Sequence, residues 1–183
     1  MAGVSAVDAL RKDHETLRSH VAALAGMVEA WGSSPQGRQR MLDGAFGGRL
    51  ACLNTEMERH FRREEEGFFP DARRLVTEGG PGAEVIGQFF REEAEDDILA
   101  HDVLRGHMEE MLSLLAAGEA AGGMEEEQEH RLRTVFGLFR TVLELHAAKE
   151  DELVFPMIER GLTPSQREAA VARLTVTPLG EGQ

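Results

Sequence analysis

His60-Phe61-Arg62-Arg63-Glu64-Glu65-Glu66-Gly67-Phe68-Phe69-Pro70 returns later in the chain as His146-Ala147-Ala148-Lys149-Glu150-Asp151-Glu152-Leu153-Val154-Phe155-Pro156. The frame they share is H-x-x-x-E-[ED]-E-x-x-F-P, at an offset of 86 residues. In a helix, positions i and i+4 are separated by about 400° of rotation, so they lie one above the other on one face. Each stretch therefore presents a histidine and a glutamate together. A second pair of stretches repeats alongside. His14-Glu15-Thr16-Leu17-Arg18-Ser19-His20 and His101-Asp102-Val103-Leu104-Arg105-Gly106-His107 share H-x-x-L-R-x-H, at an offset of 87 residues. The chain thus reads as two copies of one helical hairpin related by a pseudo-twofold axis.

Apolar periodicity extends this reading outward. Val7, Leu10, His14, Leu17, Val21, Leu24 and Val28 step alternately by three and four, the seam of a helix packed in a bundle. Phe46, Leu50, Leu53, Met57, His60 and Glu64 form a second seam, and Ala94, Asp97, His101, Leu104, Met108, Met111 and Leu115 a third. Leu132, Phe136, Phe139, Leu143, His146, Glu150, Leu153 and Met157 form the fourth. Every seam carries a histidine, and the second and fourth add a glutamate one turn on. Glycine and proline punctuate the chain at Trp31–Pro35, Glu78–Gly82 and Ala116–Gly123. The segments between them predict helices over about Ser5–Ala30, Pro35–Glu78, Ala83–Ala117 and Met124–Arg160. The second is expected to break near Gly44, Gly47 and Gly48 and to kink at Pro70. Ser5 with Asp8, and Thr163 with Gln166, have the spacing of capping boxes, and the second introduces a short further helix. The last eight or so residues read as a loose tail. The fold expected is all-α: an antiparallel up-down-up-down four-helix bundle over residues 1–162, with a short C-terminal helix and tail over 163–183.

The seam residues carry the chemistry. An ionised glutamate isolated in a core costs several kcal/mol or more unless it is paired or coordinated. Two glutamates and four histidines along one axis make an improbable core without cations, and two divalent metals supply the compensating charge. Imidazole with carboxylate suits iron, with manganese or zinc as alternatives; no thiolate pair exists for a sulfur site. If each glutamate bridges the two ions, six-coordinate iron keeps open positions for oxygen, peroxide or nitric oxide. The order His-x-x-x-Glu also differs from the Glu-x-x-His of ferritin-like di-iron bundles, which points away from iron storage.

Composition narrows the partners. A net charge of −13 over 183 residues argues against nucleic acid and anionic lipid, because phosphate neutralisation needs a basic face. Apolar runs fall far short of the roughly 20 residues that a membrane span requires. The opening residues Met1–Glu15 lack a basic stretch followed by an apolar one, so no secretory signal is expected. The single cysteine, Cys52, permits no intrachain disulfide, and a reducing cytoplasmic setting is expected. Neither a nucleotide-binding loop nor a nucleophile constellation is present.

The doubled pairing of H-x-x-L-R with H-x-x-x-E-[ED]-E-x-x-F-P resembles the hemerythrin-like HHE cation-binding domain, over about residues 5 to 162. The resemblance implies a non-haem di-iron site, with His14, His60, His101 and His146 as terminal ligands and Glu64 and Glu150 bridging. Oxygen-carrying members have a further histidine four residues after the first histidine of the third helix. Arg105 stands there in this chain, and Arg18 at the equivalent place in the first helix. They also use an aspartate five residues after the last histidine. Asp151 fits that count, whereas Glu150 fits the HHE pattern and repeats Glu64, and Glu150 is preferred. These departures favour sensing or small-molecule redox chemistry over simple oxygen carriage. Other family members are associated with iron or oxygen sensing, nitric oxide handling, repair of iron–sulfur centres and peroxide removal.

Three readings of function follow: a reactive or sensing di-iron centre, a reversible oxygen or iron binder, and a structural bundle with a zinc-filled or vestigial site. Assembly into a homo-oligomer through the helices is left open. His20 and His107 point off the seams. Arg18 and Arg105 are equally readable as partners of the site or as surface residues, and Asp97 reads more readily as a partly exposed acid near a fraying helix end than as a partner of a ligating histidine. Glu65, Glu66, Asp151 and Glu152 are expected in solvent, Phe69 and Phe155 in the core walling the site, and Cys52 as a buried small hydrophobe.

Overall fold

The structure is a computed structural model and describes residues 5–32, 35–42, 44–79, 83–84, 87–88 and 94–176. The chain is all-α. Among the described residues its helices include α1 (Ala6–Trp31), α2 (Pro35–Leu42), α3 (Ala45–Arg62), α4 (Phe69–Glu78), α5 (Ala94–Ala121), α6 (Glu126–Lys149), α7 (Phe155–Gly161) and α8 (Pro164–Val176). Two π-helical turns join consecutive helices: π1 (Arg63–Phe68) links α3 to α4, and π2 (Glu150–Val154) links α6 to α7. Among the described residues no helix is long and apolar enough to cross a membrane. Most of the expected third helix before Ala94, the side chain of Asp97 and the expected tail lie outside the described residues.

Local chemistry explains the ends. The Ser5 Oγ accepts from the Asp8 N–H at 3.0 Å and the Asp8 carboxylate accepts from the Ser5 N–H at 3.2 Å, a reciprocal cap that starts α1. Thr163 and Gln166 do the same for α8, with the Thr163 N–H donating to Gln166 Oε1 at 2.9 Å. The break expected among Gly44, Gly47 and Gly48 falls at Gly44 alone, whose φ of +79° is open to glycine at little cost. The other two lie inside α3.

Pro70 does not end the helical path. Proline has no N–H to offer the carbonyl four residues back, and its ring crowds that carbonyl. The chain widens by one residue just before it: the Phe69 N–H donates to the Glu64 carbonyl, five residues back. At Pro156 the Phe155 N–H donates to the Glu150 carbonyl in the same way. The seam steps by four rather than three here. After Glu150 the buried side chain is Val154, fully enclosed, while Leu153 is 53% exposed. The expectation that Leu153 continues the fourth seam is corrected accordingly, and Phe68 is the matching buried residue after Glu64.

The chain divides into two compact units, with the division falling inside α1, α3, α6 and near the start of α5. The first comprises Met1–Glu15, Met57–Leu99 and His146–Gln183. Its apolar core gathers Val7 and Leu10 of α1, Phe68 and Phe69, Val154, Phe155 and Ile158, and Ala170 and Leu174 of α8. Gly67 lets Leu174 approach closely: a Cβ there would lie 3.3 Å from the Leu174 side chain. The second comprises Thr16–Glu56 and Ala100–Leu145. Its core holds Leu17, Leu24, Leu50, Leu53, Leu104, Met111 and Phe139. Arg133 of α6 donates to the carbonyls of Val28 and Gly32 at the end of α1, and Glu129, 2% exposed, accepts from both Arg133 and Arg38. Orphan helix-end carbonyls are thus filled by a cation whose charge a buried carboxylate balances.

Candidate metal centre

The seam histidines and glutamates are all inside. His14, His60, His101, Glu64 and Glu150 have no exposed surface, and His146 is 4% exposed. Among the described residues their ligand atoms fall into two groups, each within 4.8 Å: His14, His60, Glu64 and Glu150, and Glu64, His101, His146 and Glu150. All six residues expected from the sequence are present, and the two glutamates belong to both groups.

The first group is built from α1, α3, π1 and π2. The Nε2 atoms of His14 and His60 lie 3.0 Å apart. His14 Nε2 is 3.1 Å from Glu150 Oε2, His60 Nε2 is 3.3 Å from Glu64 Oε1, and His146 Nε2 is 3.3 Å from Glu150 Oε2. Two donors about 2.1 Å from one octahedral ion, at right angles to each other, lie about 3.0 Å apart. The observed spacings fit that requirement. The chemistry of the donor set fits as well: imidazole lone pairs and carboxylate oxygens, buried where an ionised carboxylate needs a cation.

The backs of two rings carry carboxylates, Asp151 and Asp13, that the sequence reading did not place there. His14 Nδ1 meets Asp151 Oδ1 at 2.9 Å, and Arg11 donates to the Asp151 carbonyl at 2.9 Å. Asp151 is therefore not the solvent-facing residue it was expected to be. Asp13, 6% exposed, lies 3.8 Å from His60 Nδ1, an ion-pair distance rather than a hydrogen bond. It accepts from Arg63 at 2.6 Å and from Arg59 at 3.3 Å. Burial pushes the Asp13 carboxyl up, but His60 and Arg63 outweigh it and hold the carboxyl below its ordinary value. Burial likewise works against protonated His14. Its hydrogen bonds to Asp151 and Glu150 prevail, and its pKa is raised.

Aromatic rings line the rest. Phe155 stacks on His14, with ring centroids 5.5 Å apart and planes 15° apart, and Phe61 meets His146 edge-on at 6.1 Å. Phe155 was expected as a wall; Phe61, one residue after a ligand, was not. Arg18 pairs with Glu144 and Arg105 with Asp102, all at least partly exposed, so both arginines take their surface reading. His20 and His107 join neither group of ligand atoms. Cys52 is exposed, against expectation, because its position steps away from the seam that Leu50 and Leu53 define.

Among families of known sequence, the hemerythrin HHE cation-binding domain matches residues 5–119. No curated protein and no solved structure matches the chain. The match spans well over half the chain and contains His14, His60, Glu64 and His101. It ends before α6, so His146 and Glu150 rest on the internal repeat and on their distances from the other four. The match over residues 5–119, with the buried His/Glu cluster beside it, places this chain in the hemerythrin HHE cation-binding family.

Proposed function

We propose that the chain is a non-haem di-iron protein that takes up a small ligand such as oxygen, nitric oxide or peroxide, as a sensor or in redox and stress defence in the cytoplasm. The observation that carries this reading is that the two groups of ligand atoms share Glu64 and Glu150. Shared carboxylates are what a pair of cations needs if each glutamate bridges them. His14 and His60 would serve one ion, and His101 and His146 the other. Iron bound there supplies redox-active coordination positions for the small ligand.

The chain's own residues prepare the site. Burial of Glu64 and Glu150 makes them strong ligands, because no water competes for their oxygens. The rings of Phe61 and Phe155 replace water around the imidazoles and keep the local dielectric low. The Nδ1–H of His14, donated to Asp151, leaves its Nε2 lone pair aimed at Glu150 and His60. The mixed imidazole–carboxylate set, without thiolate, suits iron, manganese or zinc, and the hemerythrin HHE family match favours iron among them.

The test is metal analysis with an optical spectrum of aerobic, iron-loaded protein. The expected result is two irons per chain and a spectrum that changes on adding oxygen, nitric oxide or peroxide. His60→Ala and Glu64→Ala are expected to lower the iron content far more than His20→Ala. Zinc in protein purified from iron-replete cells, or equal losses in the three variants, overturns the reading.

A further inference from the structure

Asp13 and Asp151 are neighbours in sequence of residues in the metal site, yet each faces the ring of a residue on another element. Asp13 precedes His14 on α1 and lies 3.8 Å from His60 Nδ1 of α3. Asp151 follows Glu150 in π2 and lies 2.9 Å from His14 Nδ1 of α1. A single turn of α1 thus offers one imidazole to the site and holds another from behind, and π2 does the same with a carboxylate. Each aspartate is in turn held by arginine. Arg63 and Arg59 grip both oxygens of Asp13. Arg11 donates to the Asp151 backbone, and its Nε lies 3.9 Å from Asp151 Oδ1.

We infer that Asp151 is a positioning residue of the metal centre, which fixes the ring orientation of His14 and keeps its Nε2 lone pair directed into it, and that Asp13, at ion-pair distance behind His60, biases that ring by its charge. This rests on the metal-binding reading above, though not on the identity of the metal. An imidazole has two nitrogens, and in its neutral form only one carries a proton. A carboxylate accepts and never donates when ionised. At 2.9 Å from His14 Nδ1, Asp151 therefore selects the tautomer whose free lone pair is on Nε2. It also stops the ring from turning over to present the wrong nitrogen, and it raises the basicity of Nε2 toward a cation. The arginines hold each aspartate in place, so the brace runs from the surface-reaching guanidinium through the aspartate and imidazole to the site.

A purely structural ion pair predicts something different. Breaking it would lower the stability of the metal-free fold and leave the affinity of the folded protein for metal unchanged. The experiment is zinc(II) titration of the full chain against a chromophoric chelator, for wild type, Asp151→Ala, Asp151→Glu, Asp13→Asn and, as a surface control, Arg18→Ala. Circular dichroism checks that each is folded. Asp151→Ala and Asp13→Asn are expected to weaken zinc binding about 10–100-fold, Asp151→Glu to recover part of the loss, and Arg18→Ala to match wild type. In the diamagnetic zinc-loaded protein, nitrogen NMR is expected to find the His14 proton on Nδ1 in slow exchange, and to lose that signature in Asp151→Ala. Should Asp13→Asn fail to fold, the partly exposed Asp151 still decides the matter. Wild type binding zinc with Asp151→Ala within twofold of it, and with an unchanged proton signature, overturns the positioning role alone. Wild type taking up no metal overturns both this inference and the metal centre it serves.

Discussion

Glu150 contributes to both groups of ligand atoms, and replacing it by glutamine separates a metal ligand from an ordinary buried acid. In the metal-free protein Glu64 and Glu150 are wholly buried, with ligand oxygens no more than 4.8 Å apart, a separation at which two unit charges repel by about 3.5 kcal/mol at an effective dielectric near 20. Glutamine keeps the shape and removes that repulsion. Opposing it is the attraction between Glu150 and His14 when His14 is protonated, about 5 kcal/mol at 3.1 Å on the same scale. The raised pKa of His14 decides when each operates. A raised folded-state pKa gives stability that is fully present below the ordinary value of 6.5 and is lost as pH rises through the folded value. Once the pH has passed the folded-state pKa of His14, the imidazole is neutral and repulsion dominates. Metal-free Glu150→Gln is then expected to be more stable than metal-free wild type, by up to about 3 kcal/mol, or roughly 6–12 °C in Tm for a chain of this size. Near pH 6 the gain shrinks or reverses, because the variant forfeits the imidazolium. Added metal inverts the order: at about 100 times Kd it raises wild-type stability by about 2.7 kcal/mol for each site filled, and the variant's by much less. Differential scanning calorimetry with and without zinc(II) on either side of that pKa reads all four quantities. A variant that is less stable than wild type without metal at high pH, yet is stabilised by zinc as strongly, would refute the reasoning.

The seam's step of four after Glu150 predicts that Val154→Ala costs about 1–3 kcal/mol, whereas Leu153→Ser stays within roughly 0.5 kcal/mol of wild type by urea unfolding. Equal costs would return Leu153 to the core. Gly44→Ala is expected to lose about 1–2 kcal/mol, because φ is +79° there although no atom lies in the way of a Cβ; an unchanged midpoint contradicts it. The Asp13 carboxyl, held below 3.8, gives stability that is present above that value and is lost as pH falls through its folded pKa. Acid unfolding of metal-free Asp13→Asn should therefore lack part of the wild-type decline below about pH 4, and coincident acid limbs would argue against the Arg63–Asp13–His60 cluster.

The elements and the six inward residues were readable in advance because both depend on periodicity within one chain segment. Leu50, Leu53, Met57, His60 and Glu64 are all fully buried, as the three-and-four stepping of the second seam requires. What was not readable depends on a neighbouring element. Asp151 is rotated about 100° from Glu150, which by itself means an outward position. It is useful because α1 brings His14 and Arg11 up to it. Asp13 looks equally ordinary beside His14 until Arg59, Arg63 and His60 approach from α3 and π1. The available signal was small: an acid next to a ligand in both places, Asp13-His14 and Glu150-Asp151.

The conserved frame of the repeat joins these observations. Its terminal Phe-Pro can be read as core residue and helix breaker, which accounts for neither the spacing from the glutamate nor its identity in both halves. The π turns account for both. A proline at 70 or 156 cannot donate to the carbonyl at 66 or 152, and the hydrogen bond that forms instead runs from the preceding phenylalanine to the backbone carbonyl of Glu64 or Glu150. The backbone of each metal-site glutamate is thus pinned by the wide turn that proline induces, at the point where an extra residue would otherwise be strained. The widened turn also places Phe68 and Val154 in the core directly after the glutamates and carries Asp151 to His14. The buried positions are four residues after each glutamate, Phe68 and Val154, while Leu153, three residues after Glu150, faces out. The prolines, six residues beyond each glutamate, therefore belong to the construction of the metal site through the backbone bonds of the phenylalanines before them.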